Sequence, residues 1–164
     1  RDAVPAAQLP GSAMVTATPT RDEVWGWLGE VADPELPALS IVDLGIVREV
    51  KIGPGVTVAL SPTYSGCPAT EVIEHDVVEA LERHGVAKVA IERRLSPPWT
   101  SDWISAQGRE KLRRHGIAPP ERSVACPRCG SVNAVRVSEF GSTACKASYR
   151  CGDCSEPFEY FKCI

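Results

Sequence analysis

The sequence has 164 residues, of which 43% are hydrophobic and 24% charged, and a formal net charge of −3. This length suits one ordinary domain with a small appendage, and the composition of a globular protein excludes wholesale disorder. The weak negative charge argues against a chain that coats DNA or membranes through bulk positive charge. No apolar run approaches the roughly 20 residues of a membrane-spanning helix. We therefore expect a cytoplasmic protein without a membrane segment.

The first third of the chain predicts a tail, a helix and a β-hairpin. Residues 1–19 show no periodicity and lack the apolar core of a signal peptide, so we predict a flexible N-terminal tail. A capping box at Thr20 and Glu23 predicts a helix that runs to about Ala32. Alternating apolar residues then predict two strands that are joined by a turn over residues 53–55.

The middle of the chain completes a small α/β domain. A helix is predicted from Pro68 to Gly85, followed by a strand over residues 89–95. A further helix is predicted to begin at Ser101 or Asp102. The order α-β-β-α-β-α is typical of a two-layer α/β fold. Because two prolines follow at 119 and 120, we predict this domain over 20–120 and a separate module over 121–164.

Cysteines dominate the predicted second module. Seven cysteines are an odd number, so they cannot all form disulfides within the chain. Two Cys-x-x-Cys pairs are separated by 21 residues, and we name them together the cysteine tetrad: Cys126, Cys129, Cys151 and Cys154. Four thiolates at this spacing form the closed tetrahedral shell of a structural zinc ion. We predict a zinc ribbon over 121–164, and a four-cysteine iron–sulfur site or a redox dithiol are the alternatives.

Other residues of the ribbon give weaker indications. Gly130 and Gly152 are predicted to supply the backbone freedom that the two tight turns need. Cys145 and Cys163 are left over, either as small buried apolar side chains or as ligands of a second metal. From residue 123 onward the sequence contains five Lys or Arg and four Asp or Glu, a net charge of only +1. The ribbon therefore has no phosphate-binding stripe, and nucleic acid is not expected as a partner.

Cys67 is the candidate reactive residue of the first domain. With Pro68 as the first helical residue, Cys67 takes the N-cap position, where free amides and the helix dipole favour a thiolate. It is therefore a candidate nucleophile or soft-metal ligand. The histidines at 75, 84 and 115 are expected on the surface or at helix ends, which disfavours a Cys–His enzyme.

Three carboxylates follow the first predicted helix. Asp33 and Glu35 flank a proline, and Asp43 lies shortly after them. Carboxylates on such a loop can bind a metal or a cationic partner. They can equally be solvated acids in an ordinary turn. The sequence leaves both interpretations open, because periodicity does not show whether this loop meets Cys67.

Several segments resemble known families. Residues 33–37, 43–47 and 62–69 resemble the metal–sulfur cluster assembly domain of SufT-like iron–sulfur maturation factors. Residues 97–104, 116–120 and 141–162 narrow the resemblance to the PaaD family, also called PaaJ, the D subunits of phenylacetyl-CoA epoxygenase systems. The resemblance extends over about residues 20–164.

The resemblance implies an accessory subunit and not an enzyme. The expected partners are a di-iron oxygenase and its flavin and iron–sulfur reductase, and the expected cargo is iron or an iron–sulfur cluster held transiently. The resemblance implies that Cys67 is the functional thiol, that Asp33 and Glu35 lie beside it, and that the cysteine tetrad holds zinc. Cys145 also belongs to the family pattern.

Two further hypotheses concern assembly. The alternative function is a non-catalytic structural subunit or docking scaffold, in which the ribbon, Trp99 and Trp103 form the interface. The two tryptophans could equally pack between a helix and the sheet. An exposed Cys67 could also bridge two chains around a shared metal, which would give a homodimer.

Overall fold

The computed structural model describes residues 18–64 and 66–164. The predicted flexible tail lies outside these residues except for Thr18 and Pro19. The described chain forms three α-helices, seven strands and a single 3-10 turn. The helices are α1 (Arg21–Leu28), α2 (Ala69–Arg83) and α3 (Ala106–Arg114). The strands are β1 (Val47–Ile52), β2 (Val56–Leu60), β3 (Val89–Arg93), β4 (Ile117–Ala118), β5 (Ala134–Ser138), β6 (Lys146–Cys151) and β7 (Pro157–Phe161).

The first sheet has the order β1-β2-β3 and forms the layer on which two helices pack. β1 and β2 are the predicted antiparallel hairpin, and β3 returns parallel to β2 after the α2 crossover. Apolar residues at helical spacing bury one face of α2, among them Ile73, Val77 and Leu81. The predicted two-layer α/β class is therefore confirmed.

Helix α1 begins as predicted and ends early. The Thr20 hydroxyl accepts a hydrogen bond from the Glu23 amide at 3.3 Å, and the Glu23 carboxylate accepts one from the Thr20 amide at 2.8 Å. This reciprocal capping box holds the start of the helix. The helix ends at Leu28 rather than near Ala32, because Gly29 forms its C-cap.

The prediction that a helix begins at Ser101 or Asp102 is wrong. Residues Ser101–Trp103 form a 3-10 turn, which is capped by the Thr100 side chain. Ile104 is extended, so the helix cannot continue through it. Helix α3 begins afterwards, and the Ser105 hydroxyl caps it by accepting a hydrogen bond from Gly108 at 2.9 Å.

Trp99 belongs to the core and is not available for an interface. It is 4% exposed, its indole N–H donates to the Leu44 carbonyl at 2.9 Å, and its ring centroid lies 6.1 Å from that of Phe161. The interface hypothesis is therefore wrong for Trp99. The Trp103 ring is half-buried beneath the Arg48 guanidinium, which lies 3.5 Å from the ring centroid.

The second sheet has the order β4-β7-β6-β5 and contains the ribbon. The pairs β5–β6 and β6–β7 are antiparallel, whereas β4 joins β7 in parallel from the segment that follows α3. Cys145 and Phe161 belong to the same buried apolar cluster as the first domain. The ribbon therefore adds these two residues to the core of the first domain, whereas its other buried residues form a smaller second cluster. The boundary at residue 120 stays a prediction. No helix in the described residues has the length and apolar character needed to cross a bilayer.

Candidate metal centre and thiol pocket

The cysteine tetrad forms a preassembled metal centre. Cys126 and Cys129 precede β5, Cys151 ends β6, and Cys154 precedes β7. The Sγ atoms of Cys126 and Cys154 lie 3.7 Å apart, and those of Cys129 and Cys151 lie 3.6 Å apart. All four Sγ atoms lie within 4.8 Å of one another. A tetrahedral zinc ion with Zn–S bonds of about 2.3 Å requires sulfurs about 3.8 Å apart, so the four thiols fit this ion.

One of the two turns of the tetrad uses a different residue from the one predicted. Gly130 follows the first pair and has a φ of +77°. The equivalent position after the second pair is Ser155, which also adopts a left-handed conformation with a φ of +62°. Gly152 is needed for space instead, since a Cβ there would lie 2.5 Å from the Asn133 amide nitrogen. The prediction for Gly130 is confirmed, and the role predicted for Gly152 belongs to Ser155.

Hydrogen bonds tie the two turns to each other. The Asn133 side-chain amide donates to the Asp153 carboxylate at 2.7 Å, and Ser131 donates to the same carboxylate. The Gly152 amide donates to the Asn133 carbonyl at 2.7 Å. These bonds hold the two halves of the tetrad in register, as outer-shell contacts do at metal sites.

The thiols of the tetrad titrate as a group. The Cys154 amide donates to the Cys151 sulfur, and this contact, together with the Asp153 amide and the neighbouring thiols, outweighs burial and lowers the pKa of Cys151 to about 7. The Ser131 amide lowers the pKa of Cys129, but the neighbouring thiols, Cys154 first, outweigh it and raise that pKa to about 12. A divalent cation displaces these protons when it binds four thiolates, so metal binding should weaken in acid.

A second candidate site, the thiol pocket, lies between the first domain and the ribbon. We define it by Asp33, Glu35, Cys67 and Cys145, which line one cavity of about 20 Å³. The first three are the residues that the sequence singles out. The sequence leaves Cys145 without a role, and the start of β6 brings it to the same cavity. The described lining contains no histidine, so the pocket has no imidazole to serve as a general base.

Cys67 lies on the loop before α2, half-buried at the pocket. The helix begins at Ala69 with Pro68 as its N-cap, so the prediction that Cys67 is the N-cap is wrong by one residue. The Cys67 carbonyl still accepts a hydrogen bond from the Thr70 amide at 3.2 Å. This bond fixes the backbone of Cys67 against the first turn of α2.

The two predicted carboxylates have different roles. Asp33 is 6% exposed, and its Oδ1 accepts hydrogen bonds from the amides of Glu35 at 2.9 Å and Leu36 at 2.8 Å. Burial raises its pKa, and these two amides oppose that shift. Asp33 therefore shapes the loop. Glu35 is half-buried, and its carboxylate makes no hydrogen bond or ion pair to another described residue. It is the carboxylate that is free to bind a ligand.

The third acid of this loop is structural. The Asp43 carboxylate accepts hydrogen bonds from the amide and hydroxyl of Ser40, both at 3.0 Å, and from the Lys111 ammonium at 2.6 Å. It does not line the thiol pocket. Asp43 therefore joins the loop to α3 and is not a ligand candidate.

The ribbon brings a thiol and a buried cation to the pocket. Cys145 is 5% exposed, and its sulfur lies 3.0 Å from the Thr143 hydroxyl. Burial raises the pKa of this thiol. The next residue, Lys146, is buried and forms an ion pair with Glu159 at 3.2 Å. The sequence could not show this, because only the strand pairing of β6 and β7 brings residues 145 and 146 against the first domain.

Tyr64 completes the surroundings of the pocket. Burial raises the pKa of its phenol, and the nearby groups of Cys67, Glu35 and Cys145 raise it further. The Tyr64 carbonyl also accepts a hydrogen bond from the Cys67 amide at 3.1 Å. The sequence does not single out Tyr64, because an isolated tyrosine in a loop carries no pattern of its own.

Two family descriptions match the chain. An iron–sulfur cluster assembly protein family matches residues 21–92, which include Asp33, Glu35 and Cys67. The PaaD zinc beta ribbon domain matches residues 113–162, which include Cys145 and the whole cysteine tetrad. Both candidate sites therefore fall within matched regions.

Two curated relatives agree with these matches. A protein from Escherichia coli (strain K12), provisionally named as the D subunit of 1,2-phenylacetyl-CoA epoxidase, is 48% identical over 158 residues, which is 90% of this chain and 96% of that protein. An Fe-S protein maturation auxiliary factor from Porphyromonas gingivalis (strain ATCC BAA-308 / W83) is 33% identical over 96 residues, which is 57% of this chain and 90% of that protein.

Two solved structures resemble the first domain. A domain of unknown function, DUF59, from Bacillus anthracis matches with a TM-score of 0.53 and 27% identity, covering 56% of this chain and 89% of that one. A conserved hypothetical protein from Thermotoga maritima matches with a TM-score of 0.51 and 35% identity, covering 58% of this chain and 95% of that one. With an iron–sulfur assembly domain followed by a PaaD zinc ribbon, and with 48% identity to the Escherichia coli protein over most of its length, the chain belongs to the PaaD family.

Proposed function

We propose that this chain is a non-catalytic factor that delivers iron or an iron–sulfur cluster to the partner subunits of a phenylacetyl-CoA epoxidase. The proposal rests on one observation, that Cys67, Asp33 and Glu35 line the same cavity. The relationship to the Escherichia coli epoxidase protein supports the role in phenylacetate degradation. The relationship to a maturation factor supports the iron–sulfur cargo.

The residues of the pocket have different roles in the proposed delivery. Cys67 is half-buried, so its sulfur can bind an iron atom and still be reached by a client protein. Glu35 supplies a free carboxylate oxygen, a ligand type that iron accepts. Asp33 holds the loop that carries Glu35, through its two backbone hydrogen bonds. The cysteine tetrad would hold a structural zinc ion, which stabilises the ribbon and has no open position for cargo.

The clients in this proposal are the reductase, which would receive its [2Fe–2S] cluster, and the di-iron oxygenase. The experiment co-expresses the reductase with wild-type chain or with Cys67→Ser, and measures iron and acid-labile sulfide in the purified reductase. We expect Cys67→Ser to yield a reductase depleted in cluster. The matched control is Cys163→Ser, because Cys163 is exposed and does not line the pocket. A fully loaded reductase with Cys67→Ser would refute the proposal.

A docking scaffold is the second candidate function, and one observation favours it. β5 lies at the edge of its sheet, and it and its flanks expose large apolar side chains. These side chains are Val132, Val135, Val137 and Phe140, each between 61% and 69% exposed. Exposed apolar residues on an edge strand are typical of a protein interface.

The two candidates are separated by a surface variant. Val137→Lys leaves the pocket and the tetrad untouched but places a charge in the exposed apolar stretch. If the chain is a scaffold, this variant should fail to copurify with the oxygenase subunits, whereas Cys67→Ser should copurify normally and mature the client fully. If delivery is the function, Cys67→Ser should fail in maturation whether or not it copurifies.

A further inference from the structure

The thiol pocket contains two sulfurs from distant parts of the chain. Cys67 comes from the loop before α2, and Cys145 comes from the ribbon, immediately before β6. Neither belongs to the cysteine tetrad, and both line the same cavity. Cys145 is 5% exposed, and the Thr143 hydroxyl is its hydrogen-bond partner within the described residues. The ribbon therefore completes a wall of the pocket in addition to carrying its own metal centre.

The size of the cavity limits what it can hold. Its volume of about 20 Å³ exceeds the roughly 10–15 Å³ that one water molecule requires. A single metal ion fits such a space. A [2Fe–2S] cluster adds four heavy atoms between its ligands and is larger than this space.

The charges around the cavity favour a cation that must later leave. Glu35 supplies a carboxylate that forms no ion pair with another described residue, while Lys146 and Arg93 are the nearby cations. Burial and the Asp33 carboxylate raise the pKa of Glu35, and the Lys146 charge opposes them only in part. Lys146 is paired with Glu159 at 3.2 Å, and Arg93 is paired with Glu74 through two hydrogen bonds of 2.8 and 2.9 Å. Carboxylates outside the pocket therefore already neutralise both cations, and neither cation forms an ion pair with Glu35.

The ligands of the pocket are not drawn together as those of the tetrad are. Within the described residues, the sets of three or more ligand atoms within 4.8 Å of one another are the tetrad and an exposed group on α2. The sulfurs and carboxylates of the pocket are spaced more widely. A site that must rearrange to close around its ion binds more weakly than a preformed one. Weak binding suits a site that hands its ion on.

We infer that the thiol pocket binds one divalent transition-metal ion of the Fe²⁺ type, with Cys67 and Cys145 as its two sulfur ligands and Glu35 as an oxygen ligand. This inference rests on the proposed function and deepens it, because it names a single ion as the cargo and the ribbon as the source of a ligand. Binding would release the two thiol protons to solvent. A mixed sulfur and oxygen set of this kind also accepts Co²⁺, which reports thiolate ligation by its colour.

The test is an anaerobic Co²⁺ titration of the full chain that already holds one equivalent of zinc. The thiolate-to-cobalt charge-transfer band should appear in the wild type and fall to about half in either Cys67→Ser or Cys145→Ser, since one of two sulfurs remains. The double variant should show no band. Loss of a direct ligand should weaken Co²⁺ binding by no less than the roughly 10- to 100-fold that loss of an outer-shell partner costs.

The controls separate this inference from the proposed function. Cys163→Ser should match the wild type, because its sulfur contacts Tyr160 and not the pocket. A full band in Cys145→Ser with none in Cys67→Ser would overturn the role of Cys145 and leave delivery by Cys67 intact. No band in the wild type would overturn the single-ion site, while the reductase maturation experiment would still decide the proposed function.

A second measurement requires no variant of the buried Cys145. X-ray absorption at the cobalt edge counts the sulfur neighbours of Co²⁺ in the zinc-loaded wild type, and zinc in the tetrad does not contribute at that edge. Two sulfur neighbours would support the inference, and one or none would refute it. This measurement decides the question even if Cys145→Ser fails to fold.

Discussion

The residues that follow the two cysteine pairs of the tetrad differ in the free energy that their backbone conformation costs. Gly130 and Ser155 both follow the second cysteine of a pair and both have a positive φ. The left-handed conformation costs a residue with a Cβ roughly 1–2 kcal/mol, whereas glycine adopts it freely. Ser155 is exposed, so its side chain gains little from packing in return. The second turn is therefore the strained one.

This difference predicts opposite effects of two substitutions. Ser155→Gly should raise the free energy of unfolding of the zinc-loaded chain by about 0.5–1 kcal/mol, because relief of strain exceeds the entropy cost of glycine. Gly130→Ser should lower it by about 1 kcal/mol, although a Cβ at Gly130 meets no atom within 4 Å. Urea unfolding followed by circular dichroism measures both, and equal stabilities of the two variants would contradict this strain.

At the scale of elements, Asp43 couples the first loop to α3. Its carboxylate accepts hydrogen bonds from Ser40 and Lys111, and its backbone carbonyl accepts one from the Ser105 amide at 2.9 Å. Burial alone would raise the pKa of Asp43, but the hydrogen bonds of Lys111 and Ser40 outweigh it and lower that pKa below 3.8. The folded state therefore binds the Asp43 proton more weakly than the unfolded state.

This shift predicts a stability that depends on pH. A depressed carboxyl pKa stabilises the fold above the unfolded value near 3.8, and the stabilisation is lost as pH falls through the folded pKa. Asp43→Asn should therefore lower the free energy of unfolding by about 1–3 kcal/mol at pH 7. The difference from wild type should shrink below pH 3.8, as urea unfolding at a series of pH values would show. A difference that stays constant with pH would contradict this role.

The elements of the first domain could be predicted from the sequence because local interactions determine them. The capping box at Thr20 is complete within four residues, and the hairpin follows from alternating apolar residues around one turn. The sequence does not show the break at Ile104, because Thr100 and Ser105 are both good helix caps. Only the backbone geometry shows that Thr100 caps the 3-10 turn and that Ser105 caps α3.

The two candidate sites also differ in how much of each can be predicted from the sequence. The tetrad is visible in the sequence, because spacing alone places each pair of cysteines in one turn. The thiol pocket is visible only in part. The sequence points to Cys67 and to the loop of Asp33 and Glu35, but it does not place Cys145 beside them. The approach of Cys145 depends on the pairing of β6 with β7 and on its burial in the core of the first domain.

At the scale of the whole molecule, the zinc ribbon and the first domain are mechanically coupled. Phe161 from β7 is 1% exposed and lies in the same buried cluster as Leu44 and Ile46 of the first domain. β4, which directly follows α3, is hydrogen-bonded to β7 in parallel. A metal ion held by the tetrad would therefore also support the core beneath the thiol pocket.

This coupling predicts that removal of zinc weakens both halves of the chain. A ribbon of this size depends on its metal to fold, so a chelator should disorder the second sheet. Withdrawal of Phe161 should then cost the first domain about 3–5 kcal/mol, as the deletion of a buried aromatic side chain does. Thermal unfolding followed by tryptophan fluorescence should shift to lower temperature after chelation, because Trp99 contacts Phe161 in the core of the first domain.

The reactivity of Cys67 provides an independent readout of the same coupling. Cys145 forms part of the wall of the thiol pocket, so loss of the ribbon should expose Cys67 and increase its rate of alkylation. The exposed Cys163 serves as the internal control, since its rate should change far less. An unchanged thermal transition and an unchanged Cys67 rate after chelation would show that residues 20–120 fold and close the pocket without the ribbon. The thiol pocket would then be a property of the first domain alone, and the ribbon would not contribute a ligand to it.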